Sequence, residues 1–315
     1  MVAFLAAIFI AAQAAIIHPA IGAMRPLPVL AEFVRVPVPP LPEKIKSGDV
    51  EELGPIIDAE AAVVVDAASG AVLFGKRPYA VRPLASITKL LTALAVVRAD
   101  LDVGRKIAIL SADIPVEGGT VLTAGDHVSI DDLFTALLVR SDNGAARALA
   151  RTMVAKSTGA ATGDPQKLAV ERMRTLALSL DLRTVRIADV AGLDPGNVGA
   201  PIDAARLMIA AMVEPKIRSR SMIAEATISG GQTGRERIAI QSTNRLLRDL
   251  PPRSFDVVGG KTGHIDESGY NFAIAAARDG HRIAIVVLGS TTDVGRFRDA
   301  RALADWTFRN YEWND

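Results

Sequence analysis

The chain has 315 residues, half of them hydrophobic, which is enough for the packed core of one large domain or two smaller ones. Its 36 Lys and Arg residues nearly balance 35 Asp and Glu residues, and aromatic residues make up only 4%, so the composition disfavours a nucleic-acid partner. The absence of cysteine excludes disulfides and thiolate catalysis, and the four scattered histidines include no HExxH-type pair, which disfavours a zinc hydrolase.

The first 23 residues are almost wholly apolar and predict an export segment. Small residues at 12–14 and 22–23 could precede a cleavage site, so residues 1–23 are interpreted as a secretory signal peptide. An uncleaved membrane anchor stays open, because the run is long enough to span a bilayer and only the terminal amine precedes it as a positive charge. The expected location is the periplasm or cell envelope, with any membrane attachment through this segment.

A proline-rich spacer is predicted at residues 24–54. The fixed backbone angles of proline favour an extended strut between the export segment and a folded body that begins near Pro55 and continues to residue 315. Two β-type runs, 61–65 and 71–74, flank a turn and predict a pair of strands. A long helix is predicted after Ser86.

The middle of the chain is predicted to be mainly helical. Residues 120–126 form a turn-rich crossing, and 130–139 and 145–153 have helical spacing, so the Ser-Asp-Asn tripeptide at 141–143 falls at a break between two helices. Residues 156–166 are rich in Gly, Thr, Ser and Ala and predict a loop.

The last part of the chain returns to strands. Runs 271–277 and 282–288 surround an Asp-Gly step and predict a hairpin, with Lys-Thr-Gly at 261–263 on an edge strand of the same sheet. Residues 294–311 predict a closing amphipathic helix. The first and last segments therefore supply one sheet, and the middle supplies helices.

Ser86 and Lys89 form a candidate nucleophile and base. They are three residues apart at the start of a predicted helix, so their side chains share one face. A lysine can take the proton of a serine hydroxyl only if its amine is partly neutral, which burial or a second cation favours, and Lys261 across the same cleft would be that cation. Alternatively, Ser86 is only an N-terminal serine that caps backbone amides of the helix.

Two further motifs offer the remaining groups for acyl transfer. Ser141 can pass a proton between Lys89 and a leaving amine, while the Asn143 amide can hold a peptide carbonyl. Lys261 and Thr262 suit a terminal carboxylate, since they supply a charge and a hydroxyl. The alternatives are an ordinary turn between helices at 141–143 and a solvated lysine beside a tight turn at 261–263.

The residues after Lys261 and Thr262 offer backbone groups to a substrate. Gly263 permits close approach of a substrate strand to the main chain. The backbone amides of His264 and Ser86 could form an oxyanion hole that stabilises a tetrahedral intermediate. The His264 ring itself is interpreted as structural, because no serine-linked aspartate arrangement is evident around it.

With these motifs the chain resembles the low-molecular-mass penicillin-binding proteins that act as serine-type D-alanyl-D-alanine carboxypeptidases. The likeness runs from about residue 61 to residue 313. Its most specific parts are Ala-Ser-Ile-Thr-Lys at 85–89, Ser-Asp-Asn at 141–143, and Lys-Thr-Gly-His-Ile-Asp-Glu-Ser-Gly-Tyr-Asn at 261–271. Supporting parts are Gly192-Leu193 with Asn197, the segment 243–247, and Gly295-Arg296.

The resemblance implies a mixed α/β fold of the β-lactamase and transpeptidase type, with a five-stranded antiparallel sheet flanked by helices and an all-helical region. It implies peptidoglycan stem peptides as substrate, β-lactam antibiotics as covalent inhibitors, and no metal or organic cofactor. It also implies that Arg296 helps to hold the substrate carboxylate; the alternative is an arginine that caps the first turn of the last helix. Many relatives carry a further C-terminal domain with a membrane helix, and none is expected after Asp315.

The leading expectation is a serine-type carboxypeptidase that removes the terminal D-Ala through an acyl-enzyme on Ser86. An endopeptidase that cuts D-alanyl cross-links uses the same acyl transfer, so the sequence leaves it open. A class A β-lactamase would need a deacylating glutamate in a Glu-x-x-x-Asn context between the second and third motifs, and no glutamate of that interval has it. A non-catalytic wall-binding protein would not require Ser86 and Lys89 together.

Overall fold

The structure of the chain is a computed structural model that describes residues 41–44, 54–158, 163–230, 236–252 and 254–313. The predicted export segment lies outside these ranges, as does most of the proline-rich spacer. Within the described ranges, no helix combines the length and the apolar character needed to cross a membrane.

The described strands form one large sheet and four two-stranded ribbons. In chain order they are β1 (Glu43–Lys44), β2 (Ala61–Asp66), β3 (Val72–Lys76), β4 (Arg82–Pro83), β5 (Lys106–Ala108), β6 (His127–Ser129), β7 (Val198–Gly199), β8 (Glu225–Ser229), β9 (Arg237–Gln241), β10 (Asp256–Ile265), β11 (Gly269–Arg278), β12 (His281–Ser290) and β13 (Tyr311–Glu312).

The described helices are α1 (Lys89–Arg98), α2 (Ile130–Val139), α3 (Asn143–Thr158), α4 (Pro165–Ser179), α5 (Pro201–Val213), α6 (Pro215–Ser221) and α7 (Asp293–Asn310). The part of the chain that the structure describes also contains three 3-10 turns, at Ala85–Thr88, Ser111–Asp113 and Arg245–Leu247.

The large sheet is antiparallel throughout, with the strand order β10-β11-β12-β2-β3. Every residue of β2 is buried, because both faces of the sheet are covered. On one face Val64 and Ile285 pack with Phe297 and Leu303 of α7, and on the other Val63 joins the core of the helical region. The predicted five-stranded antiparallel sheet with flanking helices and an all-helical region is confirmed.

The hairpin between β11 and β12 turns at the predicted Asp-Gly step. Arg278 pairs with His281, and Asp279 and Gly280 have φ values of 52° and 88°, which suits a tight turn with two left-handed residues. Among the described strands β10 pairs only with β11, so it is an edge strand of the sheet. The Lys-Thr-Gly motif lies on that edge strand, as predicted.

The helical region corrects one sequence prediction. The loop expected at 156–166 is shorter, since α3 continues to Thr158 and α4 already begins at Pro165, with residues 159–162 outside the described ranges. The physical reason is a helix start signal: the Asp164 side chain accepts a hydrogen bond from the backbone amide of Gln166, and proline suits the first helical position. The break predicted between α2 and α3 is confirmed, at residues 140–142.

Candidate active site

Ser86 and Lys89 meet at the junction of a 3-10 turn and α1. Ser86 lies within the turn and Lys89 is the first residue of the helix, and the lysine Nζ is 2.8 Å from the serine Oγ. The turn has no side-chain cap, so the alternative role of Ser86 as a capping serine is not observed. The serine hydroxyl instead lies between Lys89 and the backbone carbonyl of Ala191, at 3.3 Å from the latter.

The backbone of the Ser86 turn is held between two glycines from distant parts of the chain. A Cβ on Gly192, whose φ is 78°, would lie 2.1 Å from the carbonyl oxygen of Ala85. A Cβ on Gly263 of β10 would lie 2.8 Å from the carbonyl oxygen of Leu84 and 3.1 Å from the backbone nitrogen of Ser86. Real side chains do not tolerate such contacts, so both positions need glycine. Gly263 therefore brings the main chain of β10 against the Ser86 turn.

The amine of Lys89 is fully buried and has three acceptors. It donates to Ser86 Oγ at 2.8 Å, to Asn143 Oδ1 at 2.6 Å and to the Ala191 carbonyl at 2.5 Å. Burial lowers the pKa of Lys89 from 10.5 to about 7, against the opposing charges of Asp189 and Asp142. Near neutral pH a large fraction of this amine is therefore neutral and able to accept the serine proton.

The second lysine of the site lies on β10 and faces the second motif. Lys261 is 1% exposed, and its Nζ donates to Ser141 Oγ at 2.7 Å and to the Thr262 carbonyl at 2.9 Å. Burial, then the charges of Lys89 and Arg296, hold the pKa of Lys261 well below its usual value. The sequence expectation named burial and a second cation, Lys261, as causes that lower the pKa of Lys89, and burial is the main cause for both lysines.

The turn that presents Ser141 and Asn143 is fixed by the buried carboxylate between them. Asp142 accepts a hydrogen bond from the Thr120 hydroxyl at 2.7 Å. It also accepts from the backbone amides of Val121 at 2.7 Å and Ala145 at 2.8 Å. Ser141 has a φ of 64°, an uncommon value for a residue with a side chain. The carboxylate thus offsets the strain that turns the Ser141 hydroxyl toward β10.

Thr262 and Arg296 flank Lys261 on the edge of the sheet. The Thr262 hydroxyl lies 2.6 Å from the hydroxyl of Thr243, which follows β9. The Arg296 guanidinium donates to the carbonyl oxygens of Gly263 at 3.0 Å and Asn271 at 3.3 Å. These contacts bring the arginine beside the third motif.

Arg296 does not cap α7, because the Thr292 side chain performs that function by accepting from the Gly295 amide. Arg296 forms an ion pair with Asp293 and lies over the rings of Tyr270 and Phe297, with its Nε unpaired among the described residues. Burial lowers the pKa of Arg296, which the charge of Asp293 opposes.

His264 is the exposed neighbour of Gly263. Its ring stacks on Tyr270 with 4.1 Å between ring centroids, which agrees with a structural ring. Its backbone pairs in register with Tyr270 across β10 and β11. The oxyanion hole formed by the amides of Ser86 and His264 stays a prediction, supported by the close approach of Gly263 to the Ser86 nitrogen.

Sequence reasoning missed two groups of the site. The Ala191 carbonyl accepts from Lys89, and the Asp189 carboxylate shapes the loop that carries it. The available signal was an aspartate ahead of a Gly-Leu-Asp-Pro-Gly run, which is typical of a side chain that binds its own loop. Among the described residues, no group of three or more His, Asp or Glu side chains could hold a metal ion.

The chain is similar to a known family, to known proteins and to solved structures. The model of the family described as D-alanyl-D-alanine carboxypeptidase (Peptidase_S11) matches residues 49–292. The D-alanyl-D-alanine endopeptidase of Haemophilus influenzae is 31% identical over 76% of this chain and 78% of its own length. The D-alanyl-D-alanine carboxypeptidase DacD of Salmonella typhimurium is 34% identical over 82% of this chain, which spans 64% of that relative.

Two solved structures share the fold over most of their length. The Streptomyces K15 DD-transpeptidase superposes with a TM-score of 0.73 at 25% identity, covering 81% of this chain and 99% of the other. The D-alanyl-D-alanine carboxypeptidase of Mycobacterium tuberculosis gives 0.72 at 26% identity, covering 85% and 96%. The fold is therefore the penicillin-binding and transpeptidase type that the resemblance implied.

Proposed function

The chain belongs to the D-alanyl-D-alanine carboxypeptidase family of serine hydrolases, and on this premise we propose that it removes the terminal D-Ala from peptidoglycan stem peptides through an acyl-enzyme on Ser86. The observation that carries the proposal is the contact between Ser86 Oγ and Lys89 Nζ, 2.8 Å apart, at a buried amine whose pKa is lowered to about 7. Such an amine can serve as a general base at neutral pH, which an exposed lysine cannot.

In the acylation step, Lys89 takes the hydroxyl proton as Ser86 Oγ attacks the carbonyl carbon of the penultimate D-Ala. The negative charge that develops on the carbonyl oxygen is stabilised by the backbone amides of Ser86 and His264. Asn143, whose Oδ1 is occupied by Lys89, offers its Nδ2 group to a peptide carbonyl of the substrate. These groups together hold the scissile bond over the nucleophile.

The leaving D-Ala needs a proton on its amine and a counterion for its carboxylate. Ser141 passes the proton from Lys89 to the amine, and its hydroxyl is already oriented by Lys261 at 2.7 Å. Lys261, Thr262 and Arg296 bind the carboxylate, which gives preference for a free chain terminus. A water molecule then attacks the acyl-enzyme. Its proton is taken up by the groups that delivered a proton to the leaving amine, and Ser86 Oγ leaves with a proton from Lys89. A β-lactam mimics the D-Ala-D-Ala terminus and acylates Ser86 in the same way.

The test is mass spectrometry of the chain with a muropeptide that ends in D-Ala-D-Ala, with and without prior penicillin treatment. We expect loss of one alanine, and we expect penicillin to block this loss through a stable adduct on Ser86. The variant Ser86→Ala should lose both, whereas Ser219→Ala, at an exposed serine on α6, should keep both. Adduct formation or alanine release by folded Ser86→Ala would refute the assignment, and rapid penicillin hydrolysis by the unaltered chain would favour a β-lactamase.

Endopeptidase action on cross-linked peptides is the second candidate. The observation that favours it is the share of each relative that this chain covers. The chain covers 78% of the length of the Haemophilus influenzae endopeptidase and 64% of the length of DacD. The two activities differ in the leaving group and not in the acyl transfer, so the same experiment with a cross-linked muropeptide dimer separates them. Cleavage of the dimer without alanine release from the monomer would make the endopeptidase the main activity. No change in either substrate would indicate a wall-binding role.

We also propose that residues 1–23 direct the chain to the periplasm or cell envelope, as their apolar run and small residues suggest. Mass determination of the chain recovered from fractionated cells tests this. A mature chain that lacks this segment is expected in the periplasmic fraction. An intact chain in the membrane fraction would indicate an anchor, and an intact chain in the cytosol would refute export.

A further inference from the structure

The loop of residues 189–197, called here the Asp189 loop, determines where the catalytic amine points. Its Ala191 carbonyl lies 2.5 Å from Lys89 Nζ and 3.3 Å from Ser86 Oγ. The backbone of Gly192 in this loop packs against the turn that carries Ser86. A displacement of this loop would therefore alter both the nucleophile and its base.

The loop is folded around the carboxylate of its first residue. Asp189 Oδ1 accepts from the backbone amides of Ala191 at 2.6 Å and Gly192 at 2.5 Å, and Oδ2 accepts from those of Leu193 at 2.9 Å and Asp194 at 2.6 Å. A charged acceptor strengthens each of these bonds. An asparagine has one acceptor oxygen, so it could satisfy only half of the four amides.

Packing holds the start of the loop: Val190 and Ala191 are each 2% exposed, and the Val190 carbonyl accepts from the Thr92 hydroxyl at 2.7 Å. A cavity of about 450 Å³ separates Asp189, Ala191 and Leu193 from α4. The far end of the loop is tied down by Asn197, whose side chain accepts from the amides of Ala188 at 2.9 Å and Asp189 at 3.3 Å. Without the Asp189 carboxylate, the backbone amides of residues 191–194 would lose the acceptor that fixes the shape of the loop beside this cavity.

We propose that Asp189 is a positioning residue for the acylation step: its carboxylate holds the loop so that the Ala191 carbonyl directs the Lys89 amine toward Ser86. This inference rests on the proposed acyl-enzyme at Ser86. The hydrogen bonds of its carboxylate go to backbone amides of the loop and not to Ser86 or the amine.

The carboxylate has a second effect, through its charge. Three charged side chains lie around Lys89: Asp189 of the loop, Asp142 of the turn before α3, and Lys261 of β10. The two carboxylates raise the pKa of Lys89, against the effect of burial. The other charged side chains around the cavity are Arg147 of α3, Asp164 ahead of α4, and Lys167, Glu171 and Arg174 of α4. Removal of the Asp189 charge should therefore lower the pKa of Lys89 further.

The test is the second-order rate of acylation by fluorescent penicillin between pH 5 and pH 10. For Asp189→Asn we expect a loss of about tenfold to a hundredfold at pH 8, because a displaced base costs rate steeply. The acid limb of the profile should also shift to lower pH, so that the relative loss becomes smaller as the pH falls. A merely structural role would reduce the rate by the same factor at every pH.

Two further variants complete the design. Asp194→Asn changes a carboxylate of the same loop that, among the described residues, accepts only from the Gly196 amide, at 2.7 Å, and this variant should leave rate and profile unchanged. Asp189→Glu keeps the charge and both oxygens, so it should keep the acid limb near that of the unaltered chain with a smaller loss of rate. If Asp189→Asn fails to fold, the Glu variant decides: a rate equal to that of the unaltered chain would overturn the proposal.

An unchanged rate for Asp189→Asn, or a uniform loss at all pH values, would overturn the positioning role. This failure differs from failure of the proposed function, in which the unaltered chain itself would show no acylation of Ser86.

Discussion

At the scale of single residues, the cleft contains two buried lysines that are not equivalent. Lys89 is bonded to the candidate nucleophile, whereas Lys261 is bonded to Ser141 and to a backbone carbonyl. Burial lowers the pKa of both amines, and for Lys89 to about 7. The hydrogen-bond partners, and not the direction of the pKa shift, therefore distinguish the two amines: Lys89 contacts the candidate nucleophile and Lys261 contacts Ser141.

The lowered pKa of Lys89 predicts the pH dependence of acylation. The base must be neutral, so the rate should rise with pH through about 7 and then level off. Stopped-flow acylation with penicillin measures this profile.

The variant Lys89→Ala should slow acylation by orders of magnitude, whereas Lys106→Ala, at an exposed lysine, should have no effect. An unchanged rate in folded Lys89→Ala would mean that another base operates.

The position of Arg296 predicts a preference for substrates with a free carboxyl end. Arg296→Gln should lower kcat/KM for a D-Ala-D-Ala peptide by at least about tenfold, since a charged hydrogen bond contributes about 1.5–3 kcal/mol. The loss should be much smaller for the same peptide with an amidated end. Arg298→Gln, on an exposed side chain of the same helix, is the matched control. Equal losses on both peptides would remove Arg296 from carboxylate binding.

At the scale of elements, the site depends on close backbone approach between loops. The segment before Thr120 passes over Asn143, and Gly118 has a φ of 83°. A Cβ there would lie 2.6 Å from Asn143 Nδ2 and 2.8 Å from Leu193. Glycine at this position lets the two walls of the cleft meet around the Asn143 amide.

Gly118→Ala and Gly119→Ala form a matched pair that tests this contact. The first change should cost about 1–2 kcal/mol of folding free energy from the left-handed backbone and should slow acylation by displacing Asn143. The second should have little effect, because a Cβ on Gly119 meets no atom within 4 Å. Urea unfolding and penicillin acylation report the two effects. Equal behaviour of both variants would contradict the packing described for Gly118.

At the scale of the whole molecule, the site lies where the helical region meets the edge of the large sheet. Ser86, Lys89, Ser141 and Asn143 come from the helical region, and Lys261 comes from β10. A ligand bound covalently to Ser86 and held by Lys261 would link the two parts. Groups that bind the folded state alone increase its stability.

Acylation by penicillin is therefore expected to raise the melting temperature. A gain of 1 kcal/mol corresponds to roughly 2–4 °C for a domain of this size, so differential scanning calorimetry can detect it. Ser86→Ala should melt cooperatively and show no rise. A fall in melting temperature on acylation of the unaltered chain would contradict a bridging role for the cleft.

Local patterns in the sequence were sufficient for much of the fold. The hairpin at residues 278–281, the helix at 130–139 and the edge-strand position of Lys261 follow from short-range signals, and the structure agrees with each. The loop predicted at 156–166 was too long, because its helix-start signal at Asp164 and Pro165 was overlooked. Local signals determine such elements, since their hydrogen bonds join near neighbours in the chain.

The three motifs likewise determined the family, because their residue types and order are specific even without contacts. Only the tertiary structure brought the Ala191 carbonyl to Lys89, across 102 residues, and set Asp189 behind it. The same holds for the pKa of Lys89, since burial is a property of the whole packed molecule and not of a motif. The sequence therefore determined which groups could react, and the tertiary structure decided their orientation and protonation, because both depend on residues far apart in the chain.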